Sequence, residues 1–161
     1  NKIINSKSTE GRKLGLMAMT GGQSVSITDA FCKVGFEVPP LSKNSYDELE
    51  TFFNIVGGSY RNPLDMAGTI QGNTETLKRI LTILDDDPAI DAMVMEQSAM
   101  FGARQWRNKP EVLDAMLDVL TEHKKRSQNI NVFSYNKHIK TKGFQGRISD
   151  LALATAPLVV T

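Results

Sequence analysis

The sequence is poor in the residues that build metal clusters, disulfides and charge-driven interfaces. It has a single cysteine, Cys32, so no internal disulfide can form; the thiol reads as a small, buried side chain of a cytoplasmic protein. Two well-separated histidines, His123 and His138, make no metal-ligand cluster with it. The balance of 19 Lys and Arg against 18 Asp and Glu leaves a formal net charge of +1, so no global field points to nucleic acid or an acidic membrane surface. No apolar run approaches the ~20 residues that span a bilayer. Neither a signal peptide nor an initiator Met opens the chain, and the expectation is a piece of something longer. What is there is ordinary: 161 residues, 40% hydrophobic and 23% charged, enough for one globular domain with a developed core.

The most organised stretch runs from Lys13 to Ser24. Leu14, Leu16, Met17 and Met19 fit a strand covered on both faces, as a central parallel strand is. Gly21 and Gly22 follow, and a helical stripe of Ile27, Ala30, Phe31 and Val34 begins after them, closed by Gly35. A strand, a glycine turn and a helix N-terminus together make an anion site, because unpaired N–H groups and the helix dipole favour negative charge. Glycine at any strand-to-helix turn is the structural alternative.

The remaining elements alternate. Residues 1–12 read as a polar lead-in or linker, and 13–161 as the domain. Phe36 to Leu41 resembles a short second strand, with Pro39 and Pro40 suited to a sheet edge. Ser45 and Glu48 have capping-box spacing ahead of a Leu49, Phe52, Phe53, Val56 stripe that Gly57 and Gly58 end. Ser59 to Gly72 reads as a structured loop around at most a very short strand. Asn73 or Thr74 caps a helix with Leu77, Ile80, Leu81 and Leu84 inward, and Asp85 to Asp87 form a solvated turn. Ile90 to Ser98 is another buried strand. Pro110 announces a helix with Leu113, Met116, Leu117 and Leu120 inward, whose basic end accounts for His123 through the dipole. Asn131 to Tyr135 is the fourth strand; a weak helix over Arg147 to Ala154 and a strand, Leu158 to Val160, complete the tally.

Five strands alternating with helices predict an α/β, flavodoxin-like three-layer fold with a parallel sheet in the order 2-1-3-4-5. Ligands of such sheets gather at the C-terminal strand ends beside the switch point. The loops there hold Gly21 to Ser24, Trp106 between Arg104 and Arg107, and His138 in a basic segment. A receiver domain is excluded, because Met19-Thr20 and Gln97-Ser98 stand where it wants acids. A dinucleotide fold wants Gly-x-Gly-x-x-Gly, which Thr20 to Val25 does not supply. A flavin-binding electron carrier is a third option, since Thr20 and Ser24 suit a phosphate loop; it requires a yellow protein.

The glycine turn, the Thr28-Asp29-Ala30 helix, Arg61-Asn62-Pro63-Leu64-Asp65, Asp87-Pro88 with Asp91, and Pro110-Glu111 together resemble one family. It is the ligase-type flavodoxin-like domain of NDP-forming acyl-CoA synthetases, the superfamily of succinyl-CoA synthetase. The resemblance covers about Gly11 to Tyr135, and its most specific part is the Asn-Pro-Leu-Asp element. It implies that acid, CoA and ATP interconvert with acyl-CoA, ADP and phosphate through a phosphohistidine. CoA, ATP and Mg would be bound by the full-length enzyme, with no cofactor or metal in this domain. The partners implied are CoA-binding and ATP-grasp domains or subunits, with oligomers possible.

By that resemblance Gly21, Gly22, Gln23 and Ser24 border the phosphate, Gly102 opens a second phosphate-facing helix, and Asn62 and Asp65 shape the adjacent loop. The family commonly has Gly-Gly-Pro-Gly where this chain has Gly21-Gly22-Gln23-Ser24, so Ser24 either narrows the pocket or itself caps the helix and binds phosphate. The Ser-His-Thr-Gly motif of the phosphohistidine is absent, so no catalytic residue is expected here and the domain alone is expected to be inactive. The alternative is a catalytically silent regulatory or binding module of the same fold.

Overall fold

The computed structural model describes residues 11–66, 68–98, 109–127 and 130–135. In chain order the elements are β1 (Leu14–Ala18), α1 (Gly21–Lys33), α2 (Lys43–Glu50), β2 (Leu64–Asp65), α3 (Thr74–Asp85), β3 (Ala92–Ser98), α4 (Pro110–Arg126) and β4 (Ile130–Tyr135). The strands form one parallel sheet in the order β2-β1-β3-β4. Leu14 pairs with Ala92 and Met17 with Met95, and Glu96 lies opposite Phe133. This α/β architecture is compatible with the expected order; the expected fifth strand, Leu158 to Val160, and the helix over Arg147 to Ala154 lie outside the described residues.

Alternation along the central strands sends side chains to two separate cores, as a pleated strand must. Met17, Met93 and Met95 face the larger core with Leu49 of α2, Leu77, Ile80, Leu81 and Leu84 of α3, and Met116 and Leu120 of α4. Leu14, Leu16, Ala18, Ala92 and Val94 face the other side, against Phe31 of α1. Each fully buried aliphatic side chain is worth about 1.5–3 kcal/mol relative to exposure, so the α3 stripe alone anchors its helix. Asn73 caps α3 by accepting the Glu75 and Thr76 N–H groups at 3.0 and 3.1 Å.

Three local readings are corrected by packing. Ser42, not Ser45, caps α2: its hydroxyl accepts the Ser45 N–H at 3.3 Å, so the helix starts earlier and ends at Glu50. Val56 consequently falls beyond the helix and is 82% exposed. In α1 the inward face is Ser24, Ile27 and Phe31, while Ala30 and Val34 point to solvent. Gly35 does end that helix, at φ +90°, where a side chain would be strained.

The edge beside β1 is built from pieces. Phe36 to Leu41 supplies one bridge, Glu37 to Lys13, rather than a strand, and the paired partner of Met17 and Ala18 is Leu64–Asp65. Between these two points the side chain of Asn62 stands in for a strand residue. Its Oδ1 accepts the Leu16 N–H at 2.9 Å, and its Nδ2 donates to the Leu14 and Pro39 carbonyls, each at 2.8 Å. Pro39 and Pro40 have no N–H to offer, so a primary amide, with donor and acceptor on one group, bridges the gap. At the start of β1, Asp91 accepts the Arg12 and Lys13 N–H groups at 2.9 Å.

Candidate functional site

β1 ends at the C-terminal edge of the sheet, between β2 and β3, and runs straight into α1. α1 packs on one face of the sheet and α2, α3 and α4 on the other, so the winding reverses at β1. In open sheets of this kind ligands bind beside such a reversal, and the N-terminus of α1 lies at it. Thr20 is extended, at φ −152° and ψ 147°, and caps the helix. Its carbonyl accepts the Gln23 and Ser24 N–H groups at 3.1 and 3.0 Å, and its hydroxyl oxygen accepts the Gln23 N–H at 3.4 Å. The N–H groups of Gly21 and Gly22 precede any intrahelical acceptor and are the open donors of the turn.

The two glycines differ in surroundings. A Cβ on Gly21 would stand 3.1 Å from Asp65 Oδ2, whereas one on Gly22 would meet nothing within 4 Å. Gly21 is therefore packed against the end of β2, and Gly22 is open to approach from solvent. The side chains of the next two residues are engaged locally. Gln23 Oε1 accepts from the Thr20 hydroxyl at 3.1 Å, and the buried Ser24 hydroxyl donates to the Gly21 carbonyl at 2.8 Å. Ser24 is thus not the cap, and its hydroxyl is engaged within the helix. What the turn presents outward is backbone.

Of the residues expected to shape the loop, Asp65 lies at the turn, while the Asn62 amide is placed lower on the β1 edge. Gly102, Trp106 and His138 lie outside the described residues.

Sequence reasoning passed over Glu96. It sits on β3 on the α1 face of the sheet and is 1% exposed. Its Oε2 accepts the Met19 N–H at 3.3 Å, one residue before the cap; Oε1 is buried and has no hydrogen-bond partner among the described residues. Burial pushes the carboxyl above the ordinary glutamate range, and the Met19 N–H offsets this only in part. A lone acid directly following the apolar run Ala92 to Met95 was the available signal.

Two further polar clusters stabilise the fold rather than the α1 turn. Asp87 is buried and accepts the Ser42 and Ala89 N–H groups at 2.8 Å, so the acidic run is only partly a solvated turn. Burial raises its pKa, but hydrogen bonds from Ser45, Ala89 and Ser42 outweigh that and hold it below the usual carboxylate range. His123 is buried with Nε2 3.5 Å from Asp85 Oδ2, and the Ser127 hydroxyl donates to Asp85 Oδ1. Burial lowers the His123 pKa, with Asp85 opposing. This cluster joins the C-terminal ends of α3 and α4, at the edge of the sheet where strands begin, away from the α1 turn. No group of three or more potential metal ligands occurs among the described residues.

No protein-family model matches the sequence, and no curated protein matches it. Solved structures do. PH0766 from Pyrococcus horikoshii OT3 superposes with a TM-score of 0.65 at 17% identity, over 94% of this chain and 32% of that one. Apo dinucleotide forming acetyl-coenzyme A synthetase 1 of Ca. Korarchaeum cryptofilum gives 0.63 at 17% identity, over 99% and 31%. The same synthetase in complex with phosphate and ADP gives 0.63 at 18% identity, over 98% and 31%. At such identities the likeness is one of fold. It bears out, at that level, the resemblance carried by the glycine turn and the Asn-Pro-Leu-Asp element, and the chain spans about a third of the length of these structures.

Proposed function

We propose that this chain is one domain of a multidomain, ADP-forming acyl-CoA synthetase, converting acid, CoA and ATP to acyl-CoA, ADP and phosphate. In this reading the α1 turn holds a phosphoryl group through the Gly21 and Gly22 N–H groups, and the surface around it docks on the domain that carries the phosphorylated histidine. The observation that carries the proposal is the glycine-opened helix N-terminus at the point where the sheet reverses its winding. Two facts support it. The fold is shared with an acetyl-coenzyme A synthetase whose solved complex contains phosphate and ADP, and this chain matches about a third of that enzyme. CoA, ATP and Mg chemistry would then come from the rest of the protein, and this chain contributes binding rather than a nucleophile. His123, buried at the opposite edge of the sheet, fits no role in phosphoryl transfer at the turn.

Titrating the 15N-labelled domain with inorganic phosphate tests the anion role. Amide shifts confined to Gly21, Gly22, Gln23 and Ser24 are expected by about 10 mM, above a roughly millimolar Kd. Unmoved turn amides would count against it. They would favour instead a catalytically silent binding module, a reading that draws on the Gln23 and Ser24 side chains being engaged within the turn.

A further inference from the structure

We propose that Glu96 is a positioning residue of the α1 turn and that its protonation state sets how tightly the turn holds an anion, an inference that rests on the anion-binding reading above. The geometry is specific. One carboxyl oxygen is bonded to the Met19 N–H, which immediately precedes the capping residue Thr20; the other is sealed from solvent without a hydrogen-bond partner among the described residues. Ionised, Glu96 places a negative charge beneath the one helix pole that attracts negative ligands, opposing the pole's own field. Neutral, it removes that opposition and still accepts the Met19 N–H. Anion and proton are therefore bound cooperatively: the anion raises the proton affinity of Glu96, and the proton raises the affinity for the anion by the same factor.

The groups around it sharpen the assignment. β1 contributes no titratable side chain between Leu14 and Ala18, and the inward face of α1 carries Ser24, Ile27, Thr28 and Phe31. Asp29 of α1 is exposed. At the end of β2 stands Asp65, beside Gly21. β4 places Phe133 opposite Glu96 and Tyr135 opposite Ser98. Asp65 is thus the other described acid at this end of the sheet, and it is untouched by a change at position 96. Burial also favours the neutral form of Glu96 in the free protein, so the coupling works from a state that is already within reach.

Sulfate is the probe, because unlike phosphate it keeps one charge state between about pH 5 and pH 8. The wild-type chain and Glu96→Gln are compared by amide shifts at Gly21 to Ser24. Glutamine keeps the shape and the acceptor for Met19 while abolishing the titration. In the wild type the sulfate Kd is expected to be at least about tenfold higher where Glu96 is ionised than where it is neutral, and in Glu96→Gln to stay flat near the value of the neutral form. Equal pH slopes in the two proteins overturn the role of Glu96 and leave the anion site standing. No sulfate-dependent shift at the turn in either protein at any pH overturns both. A carboxyl-13C titration of Glu96 in the wild-type chain serves if the variant folds poorly. Sulfate is expected to raise the Glu96 midpoint, and an unmoved midpoint overturns the proposal.

Discussion

Replacing Asn62 by alanine removes three hydrogen bonds at one stroke: Leu16 N–H to Oδ1, and Nδ2 to the Leu14 and Pro39 carbonyls. A typical intramolecular hydrogen bond contributes about 1 kcal/mol net, which sets a floor of about 3 kcal/mol. Leu14 and Leu16 are buried, so their backbone groups lose partners in a region that water reaches poorly. Each orphaned group costs about 1–3 kcal/mol, and the three together come to roughly 3–9 kcal/mol. That is a large share of the roughly 5–15 kcal/mol that holds a domain together. Urea denaturation followed by circular dichroism reads it as a lower midpoint at unchanged slope. Asn62→Asp separates the components: a carboxylate keeps the acceptor for Leu16 but turns negative oxygen toward two carbonyls. Its cost should match or exceed that of alanine at neutral pH and shrink in acid, where a protonated carboxyl can donate. An alanine variant losing less than about 1 kcal/mol would refute the idea that this amide substitutes for a strand.

Glu96→Gln should stabilise the protein at neutral pH, because it replaces a buried acid by a neutral amide of the same shape. The raised pKa fixes the sign in the wild type: relative stability is greatest below the ordinary glutamate range and is lost as pH rises through the folded-state value, a slope the variant should lack in thermal melts. His123 acts in the opposite sense. Its lowered pKa means stability is full above about pH 6.5 and falls as pH drops through the folded-state value, and His123→Gln should flatten that limb. Gly22→Ala should raise the melting temperature slightly, a gain of at most about 1 kcal/mol, whereas Gly21→Ala should lose that gain because its Cβ presses on Asp65. Asp87→Ala, which strands the Ser42 and Ala89 N–H groups, should cost more than about 2 kcal/mol in the same melts.

Legibility in the sequence followed the contrast between faces. α3 was readable because Leu77, Ile80, Leu81 and Leu84 all face inward, against Glu75 and Lys78 outside. α1 was readable as a helix but not by face: Ala30 and Val34 satisfy the spacing, yet the sheet meets the helix along Ser24, Ile27 and Phe31. The glycine turn is where the sequence put it, capped by Thr20, because small residues between a strand and a helical stripe leave few alternatives. The edge of the sheet was misread for a physical reason. β propensity describes backbone, and no propensity registers a side-chain amide doing the work of one residue in a strand. Glu96 gave one faint signal, an acid closing an apolar run, but its significance lies in what it lacks among the described residues, a partner for one oxygen, and only packing reveals that.

The composite border of β1 also bears on how the domain meets other chains. A continuous outer strand exposes a row of N–H and C=O groups to any extended segment that drifts past, and such rows seed fibrils and swapped dimers. Here the row is broken into a single bridge at Glu37, an amide at Asn62 and two residues at Leu64–Asp65. Among the described residues, an incoming strand finds no run long enough to zip onto. Association on this side must then use side chains and loop ends, which carry partner specificity, rather than main-chain pairing, which carries none.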